Sequence, residues 1–465
     1  MDLYINRVMS TKPSILRKDG VNYLIPFILV TFCFALWGFA NDITNPMVKA
    51  FSKIFRMSVT DGALVQVAFY GGYFAMAIPA ALFIRRYSYK SGVLVGLGLY
   101  AVGALLFLPA EKTGSYYPFL IAYFILTCGL SFLETSCNPY ILSMGPEQTA
   151  TRRLNLAQSF NPCGSILGMF VAMNFIQNRL NPLSSAERAL LPEQEFEALK
   201  HSDLQILIAP YLAIALVIIA VFAVILIVRM PRNDSDSSAH TAFRPTVRRL
   251  LGRKSYREGV IAQFFYVGAQ IMCWTFIIQY GTEVLVGQAP NRIEQGLLSL
   301  LGQSPEAVLS EKSAEVLSQG YNIIAMLGFI ISRFVCTALL KYVKAHRMLL
   351  GFALAGALFS ILTIVLSGRA GLYCLVMISL CMSLMFPTIY GIALEGTGED
   401  AKLGSAGLIM AILGGSVLPP LQAGIIDAGT IGPFSAVHLS FILPMLCFVV
   451  IAIYGIRQKA SSQNV

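Results

Sequence analysis

The chain has 465 residues, of which 56% are hydrophobic and 12% are charged, and its mean hydropathy is +0.68. Because soluble domains carry about one quarter charged residues, this composition excludes an ordinary soluble protein and indicates a membrane protein. The net charge of +10 does not indicate nucleic-acid binding, since Lys and Arg lie mostly in short links between apolar runs, where such residues orient spans.

Twelve apolar runs are long enough to cross about 30 Å of hydrocarbon as helices. They lie at 22–48, 61–86, 91–109, 116–144, 153–177, 204–229, 257–284, 313–341, 347–367, 370–395, 403–427 and 434–456. An even number of spans puts both termini on one side of the membrane. Most Lys and Arg residues lie on that side, which predicts that both termini are cytoplasmic. The first twenty residues are polar, so no signal peptide is expected.

The spans divide into two sets of six. The sequence predicts an N-terminal tail at 1–21, a six-helix bundle at 22–230, a basic amphipathic linker at 231–254, a second bundle at 255–457 and a tail at 458–465. NPYILSMGPE and FPTIYGIALE are weakly similar, which aligns Pro139 with Pro387 and Glu147 with Glu395. We therefore predict an all-α integral membrane protein with two pseudo-symmetric bundles, an architecture typical of transporters.

Polar residues three or four apart occur within five of the predicted spans, so each set shares one helix face. In chain order these residues are Asn41, Asp42, Asn45, Gln66, Tyr70, Tyr73, Glu134, Asn138, Gln158, Asn161, Gln263, Tyr266 and Gln270. Polar groups that face lipid are costly, so these faces must turn inward. A single such residue can simply bond a neighbouring helix, but five polar faces together favour a hydrated cavity that binds a polyol.

Two acids lie within the apolar runs without an adjacent Lys or Arg, Asp42 and Glu134. Burial disfavours the charged form of a carboxylic acid. Such a group would be neutral when occluded and could ionise when the cavity opens to water, which is what proton coupling requires. A permanently paired structural acid is the alternative. Arg333 is the one basic residue well inside a predicted span, and its expected roles are an ion pair, a gate or a bond to a substrate hydroxyl.

Other chemistry has little support in the sequence. Two polar insertions on the outer side, 178–203 and 285–312, resemble short surface helices, and we expect external caps without chemistry. The nine cysteines form no disulfide framework or metal spacing. No nucleophile with a base, metal cluster or phosphate loop occurs, so the sequence predicts neither an enzyme nor a metal site.

Several stretches match a known family. WGFANDITNPMVKAF, QVAFYGGYFAMAIPAALFIRRYSYKSG, GLSFLETSCNPYILSMGPE, RRLNLAQSFNPCGS, AQFFYVGAQI and MFPTIYGIALEGTGEDAKLGSAGLIMAILGG together resemble the L-fucose–proton symporter branch of the major facilitator superfamily. The resemblance covers about residues 22 to 456. It implies two six-helix bundles, alternating access and import of a neutral sugar driven by the proton gradient. It also implies a bacterial inner-membrane protein.

The resemblance extends to individual residues. In that family an acid in the first span and a glutamate in the LETxxNP stretch serve sugar recognition and proton coupling. Glu134 and Asn138 match LETxxNP, and Gln158 and Asn161 match the polar pair of LNLAQxFN.

The first span departs from the family pattern. The family's acid aligns with Asn45, while Asp42 occupies a neighbouring asparagine position. An acid therefore remains on that face, about one turn away. Its different height in the cavity leaves open which sugar is carried.

We therefore predict a proton-coupled importer of L-fucose or a related neutral hexose. Glu134 and Asp42 are the predicted proton-coupling residues. The predicted sugar-binding residues are Trp37, Asn45, Tyr70, Glu134, Asn138, Gln158, Asn161 and Gln270. The predicted partners are the sugar, protons and the lipid bilayer, with no nucleic acid, no cofactor and a monomeric state. A proton-independent facilitator or exchanger, and a membrane sugar sensor that transports nothing, are the alternatives.

Overall fold

A computed structural model describes residues 15–18, 21–44, 47–57, 64–171, 175–176, 179–181, 183, 185–231, 243–301, 307–426, 430–431 and 434–461. The helices in chain order are α1 Leu24–Thr44, α2 Met47–Ile54, α3 Leu64–Arg86, α4 Tyr89–Leu105, α5 Phe107–Thr113, α6 Tyr117–Ser143, α7 Ala150–Gln158, α8 Asn161–Val171, α9 Ser185–Ala189, α10 Glu193–Ile227, α11 Phe243–Gly252, α12 Lys254–Leu285, α13 Arg292–Leu300, α14 Glu311–Leu339, α15 Ala345–Val365, α16 Arg369–Met382, α17 Met385–Leu394, α18 Ala401–Met410, α19 Gly414–Ile426, α20 Ala436–Ser440 and α21 Ile442–Ser461.

Short 3₁₀ turns and two small strand pairs complete the described structure. The 3₁₀ turns are Glu147–Thr149, Gly398–Asp400 and Ala411–Leu413. The strands β1 Arg17–Lys18 and β2 Val21–Asn22 pair antiparallel, as do β3 Thr430–Ile431 and β4 Phe434–Ser435. These two-residue pairs were not predicted, and they leave the fold helical.

Eleven stretches of the described chain are long and apolar enough to cross a membrane as helices. They correspond to eleven of the twelve predicted spans. The remaining predicted span, 153–177, is divided between α7 and α8, with a turn at Ser159 and Phe160. Residues 172–174 and 177 of this span lie outside the described part of the chain.

Glycine allows two helices of the first half to approach closely. A Cβ at Gly38 of α1 would collide with the backbone carbonyl of Asn161, and one at Gly164 of α8 would collide with that of Ala35. Small residues at such positions let backbones pack directly within a membrane. This packing places Asn161, at the start of α8, beside the middle of α1.

Both predicted outer insertions contain short helices. The first holds α9, whose Arg188 forms a 2.5 Å ion pair with Asp203 of α10, and both side chains are buried. The second holds α13, which begins with a capping box in which Asn291 and Glu294 satisfy each other's backbone amide. Buried polar contacts therefore hold the described helices of both insertions.

The chain forms two compact units. Unit 1 comprises Met1–Arg248 together with Leu394–Ile409, and unit 2 comprises Arg249–Ala393 together with Met410–Val465. In unit 1, α6 packs against both α3 and α4, and α8 packs against α1. In unit 2, α12 packs against α14, α19 and α21.

Candidate sugar and proton site

Glu134 lies in α6, in a largely apolar span, and only 5% of it is exposed. The phenol of Tyr73, on α3, donates a 3.0 Å hydrogen bond to its Oε1. Ser131, one turn earlier on α6, donates to the backbone carbonyl of Tyr73 at 3.0 Å. These two bonds hold α3 against α6 and fix the carboxyl group towards Tyr73 rather than towards lipid.

A chain of amide side chains continues from the same turn of α6. Asn138 Nδ2 donates to the backbone carbonyl of Glu134 at 2.9 Å, and its Oδ1 accepts from Gln158 Nε2 at 2.7 Å. Asn161 Nδ2 donates to the carbonyl of Phe34 on α1 at 3.2 Å. The structure thus brings Glu134, Asn138 and Gln158 into one buried hydrogen-bonded cluster, with Asn161 bonded to α1.

The predicted aromatic residues have different surroundings. Trp37 is buried, with its ring 4.1 Å from that of Phe34. Tyr70 is half-buried and lies edge-on to Phe69 at 5.7 Å. Trp37 therefore packs within unit 1 in the described state, and Tyr70 retains some exposure.

The two candidate polar residues at the end of the first span cannot be placed in this cluster. Asn45 lies outside the described residues. Asp42 belongs to α1 by its backbone, and its side chain lies outside the described part of the structure. Their predicted roles in proton coupling and sugar binding stay predictions.

The second unit contributes a polar face on α12. Gln270 is half-buried, and Trp274, one turn further on, donates from Nε1 to Ser379 Oγ at 3.1 Å. Tyr266 is buried, and its phenol donates to the backbone carbonyl of Met382 at 3.2 Å. Gln263, one turn before Tyr266, is fully buried.

Arg333 donates a hydrogen bond to the tenth predicted span, which is interrupted. That span consists of α16 and α17, which are separated at Ser383 and Leu384. Proline has no amide hydrogen, so Pro387 leaves the carbonyl of Ser383, four residues earlier, without its helical donor. Arg333 Nε donates to this carbonyl, and the guanidinium lies 4.5 Å from the ring centroid of Phe329.

Unit 1 contains a matching proline-freed carbonyl, a backbone carbonyl that lacks its helical donor because the residue four positions later is proline. Pro139 of α6 deprives the carbonyl of Thr135 of its helical donor, and Ser405 Oγ of α18 donates to that oxygen at 3.2 Å. The repeat alignment that pairs Pro139 with Pro387 also pairs Thr135 with Ser383. A neutral hydroxyl therefore bonds the freed carbonyl in unit 1, and a guanidinium does so in unit 2.

A second buried glutamate lies in unit 2, at the start of α13. Glu294 is fully buried and accepts from Arg369 at 2.8 Å and 3.0 Å and from the Tyr321 phenol at 2.9 Å. Burial raises the pKa of Glu294, but the hydrogen bond from Arg369 lowers it. The bonds from Asn291 and Tyr321 lower it further, so the net pKa lies below the usual value. This carboxylate is held as an anion.

Sequence reasoning missed two of these arrangements. Tyr73 appeared on a polar face of the second span, but its bond to Glu134 was not predicted. Glu294 lies in an insertion that we expected to be an external cap, and the signal was its spacing from Asn291 in a capping box. Within the described ranges, no group of three or more His, Cys, Asp and Glu residues could hold a metal ion.

Comparison with known proteins gives full-length matches. The family described as Major Facilitator Superfamily matches residues 30–419. The L-fucose-proton symporter of Haemophilus influenzae is 51% identical over 443 residues, covering 94% of this chain and 96% of that protein. The glucose/galactose transporter of Brucella abortus is 29% identical over 439 residues, covering 94% of both chains. These relatives are named as transporters and not as enzymes.

A solved structure is similar to the whole chain. The crystal structure of the Escherichia coli fucose:proton symporter is 31% identical in sequence, with a TM-score of 0.81. The match covers 94% of this chain and 99% of that chain. The prediction of a twelve-helix transporter fold is confirmed by this match and by the family match.

Proposed function

Because the chain belongs to the major facilitator superfamily, and within it to the family of the L-fucose-proton symporters, we propose that it imports a neutral monosaccharide together with a proton. The two halves of such a fold expose a central site to one side of the membrane at a time. The chain is a multi-pass membrane protein. We further propose that it lies in a bacterial inner membrane with both termini in the cytoplasm.

The observation that carries this proposal is the environment of Glu134. It is a buried carboxyl group inside a membrane span, and its hydrogen-bond donor is the neutral phenol of Tyr73. Within the described part of the chain, no ion pair reaches it. A carboxyl group that is not held by a fixed cation can gain and lose a proton as water reaches it, which is the property that coupling needs.

The proposed cycle uses this group as the proton carrier. With the cavity open to the outside, Glu134 takes a proton from external water and the sugar binds to the polar residues. Both are then exposed to the cytoplasm, where the sugar leaves and Glu134 returns its proton to water. One sugar and the proton on Glu134 move in the same direction, so an inward proton gradient drives accumulation.

The proposed sugar contacts follow from hydrogen-bond capacity. A sugar hydroxyl both donates and accepts, and so does a carboxamide. Such groups are supplied by Asn138, Gln158, Asn161 and Gln270. The proposed binding set is completed by Trp37, Asn45, Tyr70 and Glu134. Asp42 is proposed to assist Glu134 in proton coupling.

Further details are proposed on the same basis. L-fucose or a related hexose is the proposed substrate, because two relatives named as L-fucose-proton symporters are 51% and 31% identical. A monomer that needs no cofactor besides the proton gradient is proposed. The predicted bundles at 22–230 and 255–457 are proposed as the two moving bodies.

Uptake by purified protein in liposomes tests the function. L-fucose, galactose and glucose would be supplied with and without an inward pH gradient. We expect one or more of these sugars to accumulate only with the gradient. Gradient-insensitive uptake would indicate a facilitator, and sugar binding without flux would indicate a sensor.

Glu134→Gln tests the coupling residue. We expect this variant to lose accumulation while keeping sugar counterflow, because glutamine retains a polar group but carries no exchangeable acid proton. Glu111→Gln is the matched control, since Glu111 is also a buried acid of unit 1 but lies 3.0 Å from His201. Undiminished accumulation by Glu134→Gln would contradict the assignment.

A further inference from the structure

The seventh span contains a buried amide that the site described above does not use. Gln263 of α12 is fully buried. Among the described residues, neither its Nε2 nor its Oε1 has a hydrogen-bond partner. Buried polar groups in proteins are almost always bonded, so an orphaned donor and acceptor on one side chain require an explanation.

The contacts on either side show which neighbour Gln263 faces. Gly259, one turn earlier, lies so close to α17 that a Cβ there would be 2.6 Å from that of Ala393. Tyr266, one turn later, donates to Met382 at the end of α16. Residues three and four apart share a helix face. Gln263 therefore lies on the face of α12 that packs against the interrupted tenth span.

Three neighbouring polar side chains at this interruption form hydrogen bonds to its backbone. Tyr266 donates to the Met382 carbonyl, Ser332 donates to the Leu380 carbonyl at 2.9 Å, and Arg333 donates to the Ser383 carbonyl. Gln263 brings the donor group Nε2 and the acceptor Oε1 to the same region, and neither forms a hydrogen bond with a described residue. Its chemistry matches a hydroxyl, which can both donate to Oε1 and accept from Nε2.

We propose that the Gln263 amide hydrogen-bonds a hydroxyl of the transported sugar during its passage, at a point about 10 Å along α12 from Gln270. This inference rests on the proposed sugar transport. Since Gln263 is fully buried in the described state, the sugar reaches it only in another conformation of the cycle. Gln263 thus acts on the rate of passage and on the choice among sugars.

A double-mutant cycle tests this role: the Gln263 amide and single sugar hydroxyls are removed separately and together. Counterflow kcat/KM would be measured for the wild type and Gln263→Leu, with the parent sugar and a panel of its monodeoxy analogues. We expect the variant to lose about tenfold with the parent sugar, the typical effect of one lost hydrogen bond of this kind. With the analogue that lacks the bonded hydroxyl, variant and wild type should agree within about twofold, because both have already lost the same bond.

Gln422→Leu is the matched control in the same unit. Gln422 is also fully buried, but its Nε2 donates to Ser440 Oγ at 2.9 Å. We expect this control to lower the melting temperature in detergent without singling out any analogue. Gln263→Leu should leave the melting temperature unchanged or raise it, since it removes an unsatisfied amide. If Gln263→Leu is not monodisperse, Gln263→Met, which preserves the side-chain length, carries the same test.

The outcomes separate the two proposals. A loss that is equal for every analogue identifies the hydroxyl as that of a bound water and overturns the inference. So does a loss below twofold with the parent sugar. Either result leaves the transport proposal intact, because the wild type still carries the sugar. Absence of counterflow by the wild type overturns the proposed function itself, and this inference with it.

Discussion

Each unit of this protein buries one glutamate beside a tyrosine phenol, and the two differ in what else they contact. Glu134 of unit 1 accepts from Tyr73 at 3.0 Å, and Glu294 of unit 2 accepts from Tyr321 at 2.9 Å. Of these two glutamates, only Glu294 also forms an ion pair with a described residue, Arg369 at 2.8 Å. Among the described residues, Arg369 holds the Glu294 carboxylate as an anion, whereas the donor to Glu134, the proposed proton carrier, is a neutral phenol.

The position along the membrane normal agrees with this division. Glu294 lies in α13, outside the candidate spans, and Glu134 lies within one of them. An ion pair at the end of a bundle can stabilise the fold without blocking a transport path. Burial alone therefore does not single out the proposed coupling acid, and among the described residues the two glutamates differ in that only Glu294 faces a cation.

The largest expected effect on stability is that of Glu294→Gln. Removing the charge of one partner of a buried ion pair costs about 3 kcal/mol, because Arg369 then faces a neutral amide whose Nε2 is a donor where Glu294 offered an acceptor oxygen. Glu134→Gln, which breaks no ion pair with a described residue, should change the melting temperature in detergent far less. Equal losses in the two variants would contradict the comparison.

The same comparison predicts a pH dependence. The folded pKa of Glu294 is lowered, so its contribution to stability is fully present above the unfolded value of about 4.3. It is lost as the pH falls through the lower folded pKa. Melting temperatures measured from neutral pH downwards should therefore converge for the wild type and Glu294→Gln at the acid end. A gap that persists below that range would show that the ion pair is not its source.

A smaller effect is expected at the proline-freed carbonyl of the tenth span. Arg333→Met should destabilise the protein by about 2 kcal/mol, because the Ser383 carbonyl loses a charge-assisted hydrogen bond. Pro387→Ala restores a backbone amide that can bond the same carbonyl. The double variant should therefore lose less than Arg333→Met alone, as measured by melting temperature in detergent. Strict additivity of the two changes would refute this role of Arg333.

The smallest expected effect is that of Tyr73→Phe, which removes one neutral donor from Glu134. We expect a loss of about 1 kcal/mol in stability and a greater loss in gradient-driven uptake than in counterflow, because the bond contacts the coupling acid. Tyr123→Phe is a control of the same kind, since its hydroxyl lies 2.6 Å from that of Tyr211. Equal losses of uptake and counterflow in Tyr73→Phe would separate Tyr73 from coupling.

The sequence was sufficient for the spans and for the faces of the helices. Eleven predicted spans correspond to long apolar helices among the described residues, because only helices satisfy every backbone group within hydrocarbon. The inward direction of Glu134, Asn138 and Gln158 followed from their spacing on the helix. Their predicted roles in binding and coupling stay predictions.

The partners of these residues could not be predicted in the same way. An ion pair, a gate and a bond to a substrate hydroxyl stay predictions for Arg333, and its hydrogen bond to the Ser383 carbonyl is not visible in the sequence. Pro387 made that carbonyl available, and this signal is visible in the sequence. The sequence does not reveal that α14 approaches α16 at this height.

The sequence by itself determined which segments cross the membrane and which helix faces turn away from lipid, because hydropathy and helical periodicity are local properties. The tertiary structure alone decided that Tyr73 meets Glu134 while Arg369 meets Glu294. Which side chains meet depends on how neighbouring helices rotate and cross, and that geometry is fixed by packing of the whole bundle. The same residue type therefore forms a fixed ion pair in one unit and a candidate proton carrier in the other.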